Sequence, residues 1–307
     1  MGNLSDNLLE VFFILTGLLM GYTGIRVFFE KNHPTRLGTS AFWLLLAVTF
    51  SLGKVLPPAV TGLLVMAMGV LTLFKQVQIG KIETATEEES EASSKRIGNA
   101  IFIPVIALAF IAIAIAQFTE LGGQVGIGIA AVASLLIAML ITKADPKTVL
   151  NEGDRMNRQV GTTGILPQLL AALGVIFTTA GVGDVIAGLI SNFVPEGNRL
   201  AGVIAYCLGM AFFTMIMGNA FAAFTVITAG IGIPFVIAQG ANPAIAGALA
   251  MTAGYCGTLM TPMAANFNAL PAALLEMKNP NGVIKDQVPF AATLLLIHIA
   301  LMYFWAF

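Results

Sequence analysis

The chain has 307 residues, of which 57% are hydrophobic and 10% charged, with a formal net charge of −1. Soluble domains carry about 25% charged residues, so the composition excludes an ordinary soluble domain. The long apolar runs likewise exclude a β-barrel, whose strands read as short alternating segments. The net charge says nothing about partners, and no nucleic-acid partner is expected.

A membrane-spanning helix needs about 20 mainly apolar residues, and the chain offers many such runs. The expected fold is all-α: a polytopic transmembrane helical bundle of about ten spans, with broken helices or re-entrant segments in the C-terminal half. The opening "MGNLSDNLLEVFF" places no basic residue before its apolar run, so a cleaved signal peptide is not expected. The predicted spans are 8–28, 39–55, 57–74, 99–117, 122–142, 164–180, 200–217, 223–237, 244–262 and 288–306. The stretch 181–194, "GVGDVIAGLISNFV", can prolong the sixth span, lie at the interface, or form the return arm of a re-entrant hairpin.

Cytoplasmic loops are enriched in Lys and Arg. With the N-terminus outside, 13 of the 15 basic residues fall on the inner side, and only Lys54 and Arg199 fall outside. Both termini are therefore expected outside, in a bacterial cytoplasmic (inner) membrane, with 164–194 making one net crossing. The loop "KIETATEEESEASSKR" (81–96) has no apolar face and reads as a solvated cytoplasmic linker. The expected organisation is a three-span unit over 1–80, the acidic linker 81–97, a two-span unit over 98–145, and a transport-type domain over 146–307.

Enzyme chemistry finds no support. His33 lies in a basic loop and His298 in the last span. No carboxylate pair falls inside an apolar segment, and neither a hydrolase nor a nucleotide motif is present. Cys207 and Cys256 sit in apolar segments and imply neither a disulfide framework nor a metal site.

The informative chemistry lies in two interrupted stretches. "FFTMIMGNAFAAFTVITAGIGIP" (212–234) places Gly218 and Asn219 in mid-span, then Thr225 and Thr228. "GYCGTLMTPMAANFNALPAALLE" (254–276) follows with Gly257, Thr258, Thr261, Pro262, Asn266 and Asn268. An unsatisfied backbone group in hydrocarbon costs several kcal/mol, so irregular backbone at this depth must line protein or a watery cavity. Secondary transporters build substrate and ion sites from such discontinuous helices. The competing reading is that Asn and Thr only join helix to helix. Gly218, Gly257 and Pro262 are the expected helix breaks. Asn219, Thr225, Thr258, Thr261, Asn266 and Asn268 are the expected contacts to substrate or ion.

Asp184 is either a coupling or gating acid or an N-terminal helix cap. No Lys or Arg lies mid-span. An anionic substrate must then rely on helix N-termini, Asn or Thr donors, a bound cation or a partner subunit. Neutral oxygens favour Na⁺ over H⁺ as the coupling ion, and no other metal or cofactor is expected.

"GNRLAGVIAYCLGMAFFTMIMGNAFAAFTVITAGIG", "GYCGTLMTPMAANFNALPAALLE", "GVIKDQ" and "HPTRLGTSAFWLLLAVTFSLGKVLPPAVTGLL" resemble a bacterial membrane family of unknown function. That family is commonly named as the larger subunit of a two-component pyroglutamate (5-oxoproline) transporter, and it looks distantly related to the ion transporter superfamily. The resemblance implies a smaller membrane subunit as partner. It also implies two inverted repeats with re-entrant hairpins and broken helices, and an elevator-like movement of substrate. One clear broken-helix region, 212–268, is present where two are implied, so the small partner would supply the second. The implied activity is secondary active transport of a small organic acid or amino-acid derivative, with pyroglutamate as the substrate. The alternative is a non-transporting scaffold or accessory subunit. A higher oligomer is left open.

Overall fold

The computed structural model describes residues 2–81, 87–191, 197–275 and 277–307. Helix accounts for 82% of it, with no strand among the described residues. Two compact units divide the chain, Met1–Gly161 and Thr162–Phe307.

The first unit contains α1 (Gly2–Phe29), α2 (Arg36–Leu52), α3 (Pro58–Leu73), α4 (Glu87–Ile97), α5 (Ile103–Phe118), α6 (Gly122–Thr142) and α7 (Pro146–Val160). Helices α1 and α2 pair most extensively, followed by α5 with α6. Small polar side chains make these approaches close. Ser40 Oγ donates to the Gly24 carbonyl at 2.8 Å, and Ser134 Oγ donates to the Pro104 carbonyl at 2.8 Å. Between tightly packed apolar helices, such bonds give a hydroxyl its partner without admitting water.

Two parts of this unit differ from the sequence expectation. The acidic linker is helical over Glu87–Ile97, while 82–86 lie outside the described residues. Its glutamates sit early and Lys95 and Arg96 close its last turn, which suits the helix macrodipole. Lys95 also meets Glu91 at 2.7 Å across one turn. Residues 146–160 form an amphipathic helix packed on α1, so the boundary falls after Gly161 rather than after residue 145. Asp145 caps α7 by accepting from the Thr148 N–H at 3.0 Å and from the Thr148 hydroxyl. Pro146 fills the first helical position, where a missing N–H is no loss.

The second unit contains α8 (Leu166–Thr179), α9 (Val182–Ser191), α10 (Arg199–Met217) and α11 (Ala220–Ile227), which runs into a π-helical segment, Thr228–Ile237. Then come α12 (Pro243–Leu259), a π-helical turn Ala265–Ala269, α13 (Leu270–Leu274) and α14 (Gly282–Trp305). Helix α10 is the hub. Val203, Tyr206, Cys207, Met210 and Met217 are fully buried, and α12, α14 and the π segment pack around them. One end of the bundle is closed by the Asn242 N–H donating to the Ala306 carbonyl at 2.7 Å, and by Arg199 over the Phe307 ring at 4.8 Å.

Helix α8 packs on α11, and α9 packs mainly on the π segment that continues it. The pair therefore advances alongside one continuous helix and does not retrace its path. Its described part, to Ser191, is two helices separated by a turn at Ala180–Gly181. Of the stretch 181–194, residues 192–194 lie outside the described residues.

Among the described residues six helices are long and apolar enough to cross a bilayer, and α2 and α3 are apolar but shorter. Large apolar side chains also face outward, among them Phe110, Phe212, Phe221 and Phe290. The chain is a multi-pass membrane protein whose outer faces suit lipid.

Candidate functional site

At the end of the second unit opposite Asn242 and Phe307, two interruptions meet. The first separates α10 from α11. Gly218 adopts the left-handed conformation (φ +65°), and its N–H donates to the Thr214 carbonyl at 2.7 Å. Only a residue without Cβ takes that conformation freely, which is why helices so often end on glycine. Asn219 is extended, and its Oδ1 accepts from the N–H groups of Phe221 (2.8 Å) and Ala222 (3.4 Å). One residue ends a helix and the next begins another. The Asn219 side-chain oxygen is thus engaged with the N-terminus of α11.

The second interruption follows α12. Thr261 Oγ1 donates to the Met215 carbonyl at 2.8 Å and accepts from the Met263 N–H at 3.2 Å. Met215 lies in the last turn of α10, where carbonyls lack intrahelical donors, so one break satisfies the other. Asn268 Nδ2 donates to the carbonyls of Thr258 (2.8 Å) and Thr261 (2.7 Å). Two facing carbonyls fix the amide orientation, because the oxygen in that position would be repelled. Asn268 is 1% exposed, and its Oδ1 is buried without a hydrogen-bond partner. A buried acceptor left unpaired costs about 1–3 kcal/mol, so this oxygen can receive an N–H donor or a cation. A cavity of about 250 Å³ lies alongside, with Pro262, Asn268, Ala272 and Asn281 among its walls.

The other expected site residues fall as follows. Thr258 is buried with its hydroxyl on the Tyr255 carbonyl at 2.7 Å. Gly257 does not break a helix. It lies within α12, where a Cβ would collide with the Ala211 carbonyl, so it lets α12 lie against α10. The chain leaves helical geometry only after Leu259, and Pro262 stands in that interruption, exposed. Thr225 is exposed on α11, its hydroxyl bonded back to the Ala222 carbonyl at 3.1 Å, and it does not join the cluster. Asn266 is placed by its backbone in the Ala265–Ala269 turn, and its side chain lies outside the described ones. Asp184 is exposed in the first turn of α9, which packs mainly on the π segment.

Sequence reasoning missed Thr214, whose hydroxyl is also buried without a partner. It lies one turn before Gly218, a spacing that puts it on the face turned toward α12. Among the described residues no group of three His, Cys, Asp or Glu side chains is placed to hold a metal ion. The oxygen chemistry gathered at the breaks is neutral throughout.

Residues 10–307 match the family model described as "Protein of unknown function (DUF979)". No curated protein and no solved structure matches the chain.

Proposed function

The chain belongs to the DUF979 family, and from that premise we propose that it is the larger subunit of a secondary active transporter for a small organic acid or amino-acid derivative, pyroglutamate in particular. One observation carries the reading: two helix breaks interlock at one end of the second unit and leave Asn268 Oδ1 as a buried acceptor without a donor. Pyroglutamate brings a lactam N–H for that oxygen. Its carboxylate suits the positive N-terminus of α11, because no buried cation is available there. Na⁺ is the favoured coupling ion, since neutral oxygens and carbonyls suit a hard cation better than they carry a proton. Asp184 is the alternative coupling group.

In this reading the protein crosses a bacterial inner membrane ten times. The six long helices are joined by α2, α3, α12 and the broken pair α8–α9. Both termini lie outside, and a smaller membrane subunit supplies the second broken-helix repeat. The chain performs no bond-making chemistry and needs no cofactor beyond the ion.

A second reading is favoured by a specific fact. Asn219, Thr258 and Thr261 all direct their side-chain oxygens to groups within the chain, as a scaffold or accessory subunit would require. Uptake of labelled pyroglutamate by proteoliposomes holding both subunits separates the two. Transport predicts uptake that rises with an inward Na⁺ gradient and falls at least tenfold on Asn268→Ala in a complex that still assembles. Absence of uptake by the assembled wild-type complex rejects pyroglutamate. Unchanged uptake by Asn268→Ala rejects this site.

A further inference from the structure

A cavity of about 770 Å³ opens at one end of the first unit, where α1, α7 and the segment after α3 meet. Its floor is a polar network. Asn157 Nδ2 donates to Thr23 Oγ1 at 3.0 Å, and Arg26 Nη1 donates to Asn151 Oδ1 at 2.9 Å. Asp154 lies 3.2 Å from Arg26 and 3.1 Å from Arg158, which also reaches Glu30 at 2.7 Å. The Asp154 and Arg158 side chains are each only 5% exposed. Glu152 pairs with Arg155 at 2.7 Å. The three acidic groups of the lining thus each face an arginine.

One wall is fixed by the strap that follows α3. Thr39 Oγ1 donates to the Gln76 carbonyl at 3.2 Å and accepts from the Gln78 N–H at 3.1 Å. The buried His33 accepts from the Thr35 N–H through Nδ1 (3.2 Å), which leaves Nε2–H to donate to the Gln78 carbonyl at 3.2 Å. Those contacts lead the chain to Lys81, which lines the cavity together with Lys31. Both lysines line the cavity, both are exposed, and neither forms an ion pair among the described residues. Five basic side chains stand against three acidic ones, so the lining is net positive. Asn32 adds a neutral donor.

The surroundings are apolar and outward-facing. Phe28 is 45% exposed, Phe29 74%, Leu150 43% and Met156 40%. A basic recess with exposed apolar side chains beside it, at the end of membrane-crossing helices, matches an acidic headgroup with its chains alongside. A free anion would leave those apolar groups unused. Basic pockets between membrane helices bind such headgroups, and Arg and Lys hydrogen-bond phosphate with charge assistance.

We propose that this cavity binds the phosphate of an anionic phospholipid, with Lys31 and Lys81 as the rim cations. The ligand holds α7 against α1 from the membrane side, independently of the site at the helix breaks.

The test uses the full chain in detergent, titrated with phosphatidylglycerol or phosphatidylcholine and read by native mass spectrometry. Phosphatidylglycerol should be retained and phosphatidylcholine not. Lys31→Gln with Lys81→Gln should weaken retention about fivefold for each charge removed at low salt. Because both lysines are exposed, the double variant should melt with the parent in lipid-free detergent. Equal retention of the two lipids, or full retention by the double variant, overturns the proposal. Amine labelling of Lys31 and Lys81 separates the ligand sources. Protection by phosphatidylglycerol vesicles and not by inorganic phosphate supports the lipid, whereas protection by phosphate alone, or by neither, overturns it.

Discussion

At the α1–α7 end of the first unit, formal charges are held by formal charges, whereas among the described residues the broken-helix end of the second unit is held by amides, hydroxyls and carbonyls. The difference follows from what each end must satisfy. Helix α7 meets α1 through hydrogen-bonding and charged side chains, so opposite charges can match one another beside an open cavity. Beyond α12 the helix is interrupted, and the carbonyls of Thr258 and Thr261 are met by a side chain. Neutral donors such as Asn268 Nδ2 and Thr261 Oγ1 reach backbone carbonyls without the desolvation of an ion, which costs several kcal/mol. Charge joins helices here, and neutral polar groups close gaps in them.

The sharpest way to break this contrast is to remove a charge from the first unit. Asp154→Asn leaves Arg26 and Arg158 short of an acid, and losing one partner of a buried pair costs about 3–5 kcal/mol. Thermal melting in detergent, with limited proteolysis after Gly161, should show α7 loosened. Asp154→Leu combined with Arg158→Met should recover much of the loss. A single variant that melts with the parent sinks the idea that these charges hold α7.

Next in size is Gly257→Ala, which drives a methyl group into the Ala211 carbonyl. Overpacking of this kind costs about 1–3 kcal/mol, and Gly257→Leu should be worse. If Gly257→Ala is neutral in melting, the close contact of α10 and α12 is not what that glycine provides.

Asn268→Ala removes donors from two carbonyls but also relieves an unpaired oxygen, so a smaller loss of about 1 kcal/mol is expected. Asn268→Asp should be worse, because it sets a charged acceptor against two carbonyls. Equal melting of the two variants would break the donor assignment.

The smallest effect concerns Asp145. Hydrogen bonds from the Thr148 hydroxyl and then the Thr148 N–H hold its carboxyl below the usual carboxylate range. Its contribution is therefore complete above the ordinary value near pH 4, and it is lost as pH falls through the depressed folded value. Protection of the first-turn amides of α7 against hydrogen exchange should fall on acidification below pH 4, and Asp145→Asn should flatten that response.

The same contrast explains what could be read before folding. Long apolar runs announced the membrane helices because periodicity and length are local properties. The Gly218–Asn219 break was equally local, a left-handed cap followed by an N-cap written in adjacent residues. Helix α7 was hidden because the stripe it turns inward is polar: Asn151, Asp154, Asn157 and Arg158 recur at helical spacing where apolar residues are normally sought. Gly257 was misread for a different reason. A glycine in a helix can end it or admit a neighbour, and only the position of α10 decides. Asn268 stood out as polar, but its two carbonyl partners belong to a helix end that no local pattern marks.

The π segment Thr228–Ile237 carries a consequence for how this chain can change length. A π turn is an α-helix carrying one extra residue, and here the wider turns run through Gly230, Gly232 and Pro234. Removing one residue from a regular α-helix rotates everything beyond it by about 100° and misaligns every later side chain. Removing one within Thr228–Ile237 instead lets the remainder settle toward α geometry. The bundle therefore contains its own expansion joint, where a single-residue deletion can be absorbed next to the hub helix.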